Sequence, residues 1–559
     1  MHPTTRSTLA ALLIFSAACD GGSSDAANDR TEGGTLVVGI QTDIGPLIPP
    51  LIRQVDQKLV ADQIFEPLAW VGDEGRVDGG FRPAVADSWE WERDSTALVV
   101  RMNPGARWHD GKPVRASDVR FTFGLYTDPQ VGSVESQALS RIDSVTARDS
   151  LTPVFWFGKR YPEQLYDAVA RMLVLPEHAL ASAPRATLQT ADFGVKPFGS
   201  GRFRVVTWDP KANTQLVADT THYRGRAKLD RIVFSFTPDP NALVTRLSAG
   251  ELDVADIISS EHFRTLSTRP DLKAQLLPAL DYAFIQFNLR DPKQPNRPHP
   301  VFGEPAMRRA LTIGLDRDRL VRSQFDSLAR VALGPMTHAQ ALADTMIAPI
   351  QHDSAGAARL LDSLGWRLPQ GKAIRERAGQ PLRFSIIVPN VSRNRMGMVV
   401  RVQDAFKQIG VDMQVDALEP NTFIGRLGKR DFDVAFSGNR AEVSLAGLRP
   451  YWSVQGADDP TGRNFSSYRN PKFDAHLDSA LSAGGMTDAR AHASQAFATI
   501  VADAPAIWVY EARSATVMHK RIRPAHMVPG AWWIGMSDWT IPAAERIDRD
   551  NAGITLTSK

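Results

Sequence analysis

The sequence predicts a mixed α/β protein with several sheets, and three observations lead to that prediction. Short β-branched segments alternate along the chain with segments of helical periodicity. One strand–helix–strand succession is completed within about 35 residues, the length of a βαβ unit. No repeat of 20–50 residues is visible in the 559-residue chain, which argues against a solenoid. At about 150 residues per domain, three or four units are expected, and multi-lobed α/β proteins commonly bind ligands between lobes.

Four strands are predicted from β-branched and aromatic runs: Thr35–Ile40, Leu98–Met102, Ile232–Phe236 and Ala283–Asn288. A helix is predicted to follow the third of these strands. Asp239 is a suitable N-cap, Pro240 fits the first helical position, and Gly250 marks the end.

The clearest α/β unit begins with Leu382–Val388, which has the continuous apolar character of a buried strand. Apolar residues at spacings of three and four then form one helical face, from Val399 to Ile409. Gly410 ends that helix, and Val411–Val415 is the next strand. Two parallel strands joined by a right-handed crossover are therefore predicted. A further strand, Asp433–Ser437, follows a short helix near 422–427.

Composition excludes several classes of function. Sixty-five basic residues against 62 acidic ones give a net charge of +3, too near balance for nucleic acid to be the main partner. No phosphate-binding glycine loop and no Gly-x-Ser-x-Gly nucleophile elbow is present. No two of the twelve histidines lie closer than seven residues, so no helix-spaced or strand-spaced metal pair exists. We expect no catalytic residues, no metal site and no cofactor.

One histidine motif, Trp108-His109-Asp110-Gly111, invites a catalytic interpretation. A general base next to an aspartate is one alternative. The favoured one is a structural turn, because Asp-Gly followed by Lys112-Pro113 is turn chemistry and adjacent turn residues point in different directions.

The N-terminus has the features of an export signal. A polar start with one charged side chain, Arg6, precedes a ten-residue apolar run from Leu9 to Ala18. A bilayer-spanning helix needs about 20 apolar residues, so this run is the core of a signal peptide over residues 1–18. The small residues before Cys19, the only cysteine, resemble the lipobox of bacterial lipoproteins, with Ser16 where leucine is usual. The alternative is an ordinary signal peptide with an incidental cysteine.

The resemblance to lipoproteins implies that Cys19 carries a lipid. Residues 19–34 are then the lipidated cysteine and a flexible tether rich in Gly, Ser, Asp and Asn. Asp20 resembles a signal for retention at the inner membrane. Beyond residue 34 no run is long enough to span a bilayer, so the membrane is expected to hold the protein only through its anchor.

Several segments resemble the substrate-binding proteins of ABC importers in solute-binding protein family 5, the peptide, dipeptide, oligopeptide and nickel class. The resemblance runs from about Thr35 to about Trp539 and is most specific over Ala86–Tyr126. That segment contains a tryptophan, a strand, an aromatic-His-Asp-Gly turn and a helix start in the family's order. Further segments in register are Pro197–Phe203, Leu247–Val254, Phe287–Leu289, Met307–Leu311, Leu315–Arg317, Leu360–Trp366 and Asn470–Asp474.

This resemblance implies a two-lobed periplasmic-binding-protein fold of type II-like architecture, with a cleft between the lobes and an extra subdomain on the first lobe. Mapped onto this chain, lobe I comprises 35–69, 196–285 and 508–559. The extra subdomain comprises 70–195, and lobe II comprises 286–507.

The resemblance also implies a ligand site. Peptide binders of the family anchor the ligand's α-ammonium group with an aspartate, and Glu442 stands at the matching position. Asn439 replaces the usual tryptophan. The alternative for Glu442 is a solvated loop residue. The other candidate ligand-binding residues, each with packing as its alternative, are Arg440, Tyr451, Trp452, Gln63, Phe65 and Glu66.

The function implied is capture of short peptides and their delivery to an inner-membrane ABC permease, by a monomer held at the periplasmic face of the inner membrane. The second reading keeps the fold and changes the solute to an oligosaccharide, an opine, haem or a metal chelate. The third, an enzyme or chaperone on this scaffold, has no nucleophile–base pair to support it.

Overall fold

The structure is a computed structural model that describes residues 32–72, 80–256, 259–459 and 462–551, without the side chains of Arg393 and Asn551. The predicted signal peptide and Cys19 lie outside the described residues. Within these ranges, no helix combines the length and the apolar character needed to cross a bilayer.

The strands have the following bounds in chain order: β1 Thr35–Ile40, β2 Ala69–Val71, β3 Phe81–Pro83, β4 Ala86–Glu92, β5 Ala97–Met102, β6 Ser144–Asp149, β7 Thr152–Trp156, β8 Phe203–Thr207, β9 Asn213–Ala218, β10 Arg231–Phe236, β11 Val254–Asp256, β12 Leu272–Phe287, β13 Arg290–Asp291, β14 Gln294–Pro298, β15 Ala329–Arg330, β16 Glu376–Arg377, β17 Gln380–Pro381, β18 Arg383–Pro389, β19 Asp412–Leu418, β20 Val434–Arg440 and β21 Ala506–His519.

The α-helices have the following bounds: α1 Val55–Ile64, α2 Ala116–Thr127, α3 Ser136–Leu139, α4 Gln164–Val169, α5 Glu177–Leu180, α6 Pro240–Ser248, α7 Ser260–Ser267, α8 Pro305–Ile313, α9 Arg317–Phe325, α10 Ser354–Ser363, α11 Arg393–Gln408, α12 Pro420–Gly428, α13 Arg449–Trp452, α14 Val454–Asp458, α15 Pro471–Ser482, α16 Met486–Asp503 and α17 Asp548–Asn551.

One large sheet runs through both lobes in the order β19-β18-β20-β12-β21-β11-β1-β10-β9-β8. Its centre is the antiparallel pair β12 and β21, with 16 and 14 residues, paired from Leu272 with His519 to Gln286 with Ala506. The register shifts between Pro278 and Tyr282. One half of this pair joins the strands of lobe I and the other half joins those of lobe II, so the pair is the connection about which the lobes can move.

Each unit has its own hydrophobic core. Lobe I packs around β1, β10 and the tryptophans Trp532, Trp533 and Trp539. The extra subdomain packs around the four-stranded sheet β4-β5-β7-β6 and α2. Lobe II has two cores, one on each face of its sheet. The predicted two-lobed α/β fold is confirmed, and the proposed residue limits of the units stay a prediction.

The predicted βαβ unit is confirmed. β18 and β19 pair in parallel over seven positions, from Arg383 with Asp412 to Pro389 with Leu418, with α11 between them. β20 pairs in parallel with the other edge of β18. The apolar run predicts this well because Ile386, Ile387 and Val388 are wholly buried.

The predicted helix after β10 is also confirmed as α6. The Asp239 carboxylate accepts a hydrogen bond from the Ala242 N–H at 2.7 Å, which satisfies one free donor of the first turn. Gly250 follows the helix with φ +75°, a conformation that favours glycine.

The predicted strand 283–288 is only the end of β12. The preceding half, from Leu272 to Asp281, is mostly half-buried and contains Pro278, so it lacks the apolar run that marks a buried strand. This half is a strand because its backbone pairs with β21. The β21 residues lie far away in the sequence, so a local pattern does not predict the strand.

The His109 motif is a structural turn, which is the interpretation that the sequence favoured over a catalytic one. The His109 ring contacts the Gly201 carbonyl through Nε2 at 2.8 Å and accepts from the Gly199 N–H through Nδ1 at 3.2 Å. Burial lowers the pKa of His109. Asp110 contacts His178 at 2.8 Å instead. The turn therefore docks the extra subdomain onto lobe I.

The loop held by His109 leaves no room for side chains at two glycines. A Cβ at Gly199 would lie 2.0 Å from the Ile64 carbonyl oxygen, and one at Gly201 would lie 2.6 Å from the Gln63 carbonyl oxygen. The obstructing atoms are backbone, so they cannot move aside without displacing the end of α1.

We expect Gly199→Ala to lower the free energy of unfolding by about 2 kcal/mol or more, because it forces a backbone clash. Gly124→Ala is the matched control, since Gly124 lies inside α2 with open space around it, and should be neutral or stabilising by up to about 1 kcal/mol. Chemical denaturation monitored by circular dichroism measures both. Equal stability of the two variants would contradict the close-approach argument.

Candidate ligand-binding cleft

The cleft lies where the lobes meet beside the two long strands. In lobe II, the parallel strands β18 and β20 end towards it, at Pro389 and Arg440. In lobe I, β11 runs parallel to β1 and ends at Asp256. Open α/β sheets bind ligands outside the carboxyl ends of their strands, so both edges face the expected position of a ligand.

The extra subdomain touches lobe II directly across this cleft. The carboxylate of Glu163 accepts hydrogen bonds from the Ser444 hydroxyl and, at 3.3 Å, from the Leu445 N–H. Its side chain is 3% exposed and also pairs with the Arg141 guanidinium at 3.0 Å. A second contact joins the same two units, from Arg160 Nη2 to the Gly484 carbonyl at 3.0 Å.

Charged side chains surround this contact and form what we call the cleft charge cluster. Arg141 and Arg171 both pair with Asp167, at 2.7 and 2.8 Å. The cluster comprises the guanidinium groups of Arg141 and Arg171 and the carboxylates of Glu135, Glu163, Asp167 and Glu442. Two cations face four anions, so the cluster carries surplus negative charge.

Glu442 is the member contributed by lobe II. Its side chain packs over Gly447, so closely that a Cβ added to Gly447 would lie 2.9 Å from the Glu442 Cβ. The backbone carbonyl of Glu442 accepts a hydrogen bond from Gln340 Nε2 at 2.7 Å. The residue remains exposed to solvent. Desolvation by the surrounding protein nevertheless raises the pKa of its carboxyl. Arg171 and Arg141 oppose that shift, and Glu135 and Glu163 reinforce it.

The other predicted residues of this segment take different positions. Arg440 pairs with Asp281 at 2.6 Å, with both side chains about half exposed. Asn439 Nδ2 lies 3.5 Å from the Tyr282 hydroxyl. The Tyr451 hydroxyl accepts from Arg463 at 2.6 Å. A ligand contact for these three residues stays a prediction.

Trp452 is 1% exposed and packs edge-on against Phe284 and Trp508, with ring centroids 5.4 and 4.9 Å apart. In this structure Trp452 is therefore a packing residue of the lobe II core.

Gln63, Phe65 and Glu66 are not brought near Glu442. Gln63 donates to the Trp533 carbonyl at 3.4 Å, Glu66 accepts from the Tyr223 hydroxyl at 2.8 Å, and Phe65 is fully buried in the core of lobe I. Gln63 and Glu66 line a small cavity of about 70 Å³ whose walls belong to lobe I and the subdomain. A ligand contact for these three residues stays a prediction.

Sequence reasoning missed Arg395 at the lobe II edge. Its guanidinium lies across Gly438, where an added Cβ would be 2.5 Å from Arg395 Nη2. Arg395 stands in the first turn of α11, directly after the strand β18. The sequence places two arginines between a predicted strand and a predicted helix. Such a junction lies at the carboxyl edge of the sheet, where ligands bind, so this pattern could have identified Arg395 as a candidate.

Asp256 was missed at the lobe I edge. Burial raises its pKa to about 6, although hydrogen bonds from Trp532 Nε1 at 2.8 Å and the Thr516 hydroxyl at 2.9 Å favour the charged form. The segment after β11 gives no sequence signal of this enclosure, because both donors come from the C-terminal part of the chain.

The hinge holds a buried ion cluster that the sequence also did not reveal. Glu511 of β21 is 1% exposed, pairs with Arg330, and lies 2.6 Å from His338 Nδ1. Across the described ranges, no group of three or more His, Cys, Asp or Glu side chains is arranged to hold a metal ion.

Two lobes joined by crossing strands, with a charged cleft between them, define the class of bilobed solute-binding proteins. Residues 80–458 match the family model described as bacterial extracellular solute-binding proteins, family 5 Middle. The chain belongs to this family, as the motif resemblance implied, and the family is one of the bacterial cell envelope.

Curated relatives cover most of the chain. The oligopeptide-binding protein AppA of Bacillus subtilis (strain 168) is 23% identical over 94% of this chain and 98% of its own length. The glutathione-binding protein GsiB of Pectobacterium atrosepticum is 24% identical over 80% of this chain and 83% of its own.

Solved structures share the fold. AppA of Bacillus subtilis in complex with a nonapeptide superimposes with a TM-score of 0.70 at 22% identity, covering 91% of this chain and 99% of that one. The ABC transporter substrate-binding protein CtaP of Listeria monocytogenes gives a TM-score of 0.78 at 20% identity, covering 91% and 100%.

We expect Glu163→Gln to weaken closure of the lobes, because it removes the charge that receives the Ser444 and Leu445 donors. The open population of the ligand-free protein should rise about threefold or more, measured by single-molecule energy transfer between dyes on the subdomain and lobe II. Glu90→Gln, an exposed residue of the same subdomain paired with Arg101, is the control. An unchanged distance distribution in Glu163→Gln would show that the contact does not influence closure.

Proposed function

We propose that this protein captures short peptides between its two lobes and delivers them to the permease of an ABC importer. It acts by binding and release, without chemistry on the solute. The observation that carries the proposal is the cleft charge cluster, in which four carboxylates face two guanidinium groups at the junction of lobe II and the subdomain. An ammonium group is the complement of that surplus, and every unblocked peptide carries one.

Glu442 is the proposed anchor of the peptide's α-ammonium group. It is the cluster carboxylate contributed by lobe II, and enclosure raises its pKa, so its charged form lacks full compensation in the ligand-free protein. A bound cation supplies that compensation. Arg395 is the proposed counterpart for a peptide carboxylate, because its guanidinium lies at the carboxyl edge of the same sheet.

The names of the relatives support a peptide. AppA of Bacillus subtilis is named an oligopeptide-binding protein, and its structure holds a nonapeptide. The proposed site also comprises Arg440, Asn439 and Tyr451, with Trp452 supporting them from behind, while Gln63, Phe65 and Glu66 are proposed as lobe I residues that a longer ligand approaches. The units proposed above, with lobe II over 286–507, close on the ligand about β12 and β21.

We further propose that the protein is a monomer held at the periplasmic face of the inner membrane by a lipid on Cys19. A soluble body that serves a membrane permease benefits from a tether, and the only cysteine of the chain directly follows the short apolar run. Residues 20–34 are long enough to span on the order of 20 Å as a flexible chain.

A non-peptide solute is the second candidate, favoured by Asn439 in place of the family's tryptophan. Native mass spectrometry of the protein as purified distinguishes the two, because a peptide and an oligosaccharide or chelate differ in mass and fragmentation.

We expect Glu442→Gln to weaken binding of a tripeptide about 10- to 100-fold at pH 7.5, because one charge-assisted contact to the ammonium group is lost. Lowering the pH towards the raised pKa of Glu442 should weaken the wild type, since protonation removes the same charge, and should leave the variant unchanged. Isothermal titration calorimetry across this pH range measures both.

Two controls isolate the effect. Glu304→Gln alters an exposed glutamate at the start of α8, away from the cleft, and should bind like the wild type. An N-acetylated tripeptide should bind the wild type and Glu442→Gln equally weakly. Equal affinity of wild type and Glu442→Gln for the free tripeptide would support the solvated-loop alternative instead.

We expect Cys19→Ser to move the protein from the membrane fraction to the soluble fraction while leaving tripeptide affinity unchanged. Fractionation with immunoblotting and incorporation of labelled palmitate measure the anchor, and calorimetry measures binding. Ser16→Leu, which restores the usual lipobox residue, should remain in the membrane fraction. Retention of Cys19→Ser in the membrane would overturn the anchor and leave the peptide proposal intact.

A further inference from the structure

A polar cavity of about 420 Å³ opens at the end of lobe II that points away from the cleft. The pairing of β12 with β20 runs from Asp281 with Arg440 at the cleft to Phe287 with Val434 at the far end. Six residue steps at about 3.4 Å place the two ends about 20 Å apart. The cavity is built beyond the far end, so it is separate from the proposed peptide site.

The hairpin of β13 and β14 and two loops form the walls of this cavity, and four of their side chains are basic. The cavity residues that matter to its chemistry are Asn288, Arg290, Asp291, Lys429, Arg430 and Arg469. Arg469 pairs with Asp458. In the part of the chain that the structure describes, Arg290, Lys429 and Arg430 have no ion-pair partner. The single carboxylate in the lining, Asp291, accepts from the Lys293 N–H at 2.8 Å.

The backbone of Arg430 is held in an uncommon conformation. Its φ is +54°, in the left-handed region that side-chain-bearing residues seldom adopt. Asn288, which is 1% exposed, fixes this turn by donating from Nδ2 to the Arg430 carbonyl at 2.9 Å and to the Phe432 carbonyl at 3.0 Å. The same conformation ends α12, because the Arg430 N–H donates to the Leu427 carbonyl at 2.9 Å. Asn288 and the helix end together fix where the Arg430 side chain leaves the backbone.

The Arg430 guanidinium is incompletely satisfied. Its Nη2 donates to the Ala457 carbonyl at 2.8 Å, whereas its Nε is enclosed and has no acceptor. Burial lowers the pKa of Arg430, the neighbouring Arg469 lowers it further, and the Asp458 carboxylate, which is already paired with Arg469, opposes the shift. An enclosed donor without a partner is costly, and nearby anionic oxygen removes that cost.

We propose that this cavity is a second binding site, for a small polyanion that carries phosphate or carboxylate groups. Three cations without ion-pair partners and an enclosed guanidinium donor match several anionic oxygens, whereas a neutral solute leaves the charges uncompensated. The volume accommodates more than a single inorganic ion. Because the site lies at the opposite end of lobe II, it binds its anion whether or not a peptide fills the cleft.

The test is calorimetric titration of the full chain with citrate and with inorganic phosphate at constant ionic strength. We expect saturable binding of one anion per chain, also in the presence of excess tripeptide. The double variant Arg290→Gln/Lys429→Gln should bind at least about tenfold more weakly, because two charge-assisted contacts are lost. Arg319→Gln, an exposed arginine on α9 of the same lobe, is the matched control and should bind like the wild type.

Lipid headgroups are another source of the same chemistry. Co-sedimentation with phosphatidylglycerol vesicles but not phosphatidylcholine vesicles, lost in the double variant, would identify a headgroup as the anion; soluble-anion binding without co-sedimentation would identify a free solute. The proposal is overturned if neither the titrations nor the phosphatidylglycerol vesicles show binding, or if the double variant and Arg319→Gln respond alike. Both variants should retain the wild-type melting temperature in chloride buffer, which separates loss of the site from loss of the fold.

Discussion

The backbone ladder between β12 and β21 is the constraint on which the rest of the structure depends. These strands are the only ones of the large sheet, in the described part of the chain, that are long enough to serve both lobes. Their hydrogen bonds fix the position of one sheet edge relative to the other. The register shifts near Pro278 and Tyr282 lie between the two halves, so bending there changes the cleft while both cores stay intact.

The same pair fixes which side chains meet in the cleft. The last pair of β12 with β20 at the cleft end is Asp281 with Arg440, and the Ala441 N–H continues the contact by donating to the Leu280 carbonyl at 2.8 Å. The chain then turns towards the subdomain, where Ser444 reaches Glu163. The hinge geometry thereby fixes where Glu442 lies relative to the other members of the cleft charge cluster.

Sequence patterns predicted those elements whose signal is local. The βαβ unit of lobe II was predictable because β18 is buried on both faces, and the α6 cap was predictable because Asp239 and Pro240 act within one turn. The first half of β12 was not, since its strand character comes from pairing with residues more than 230 positions away.

The candidate site shows the same division. Glu442 was proposed through a motif resemblance, but the charged groups that act on its carboxyl belong to the subdomain, and Ser444 lies 281 positions from Glu163. No local pattern links such residues. Arg395 was accessible to sequence reasoning, because its position between a strand and a helix is a local feature.

In the proposed function, the electrostatics of the cleft couple ligand binding to lobe closure. Closure brings Glu442 to a surface where Glu135, Glu163 and Asp167 already outnumber Arg141 and Arg171, so the closed, ligand-free protein holds uncompensated negative charge. Desolvation is the main cause of the raised pKa of Glu442, and the neighbouring carboxylates of Glu135 and Glu163 add to it. The hydrogen bonds from Ser444 and Leu445 to Glu163 oppose this repulsion and favour closure. A ligand shifts a conformational equilibrium only by its differential affinity for the two states. The ammonium group of the proposed peptide ligand has such a preference, because the full set of carboxylates surrounds it only when the lobes are closed.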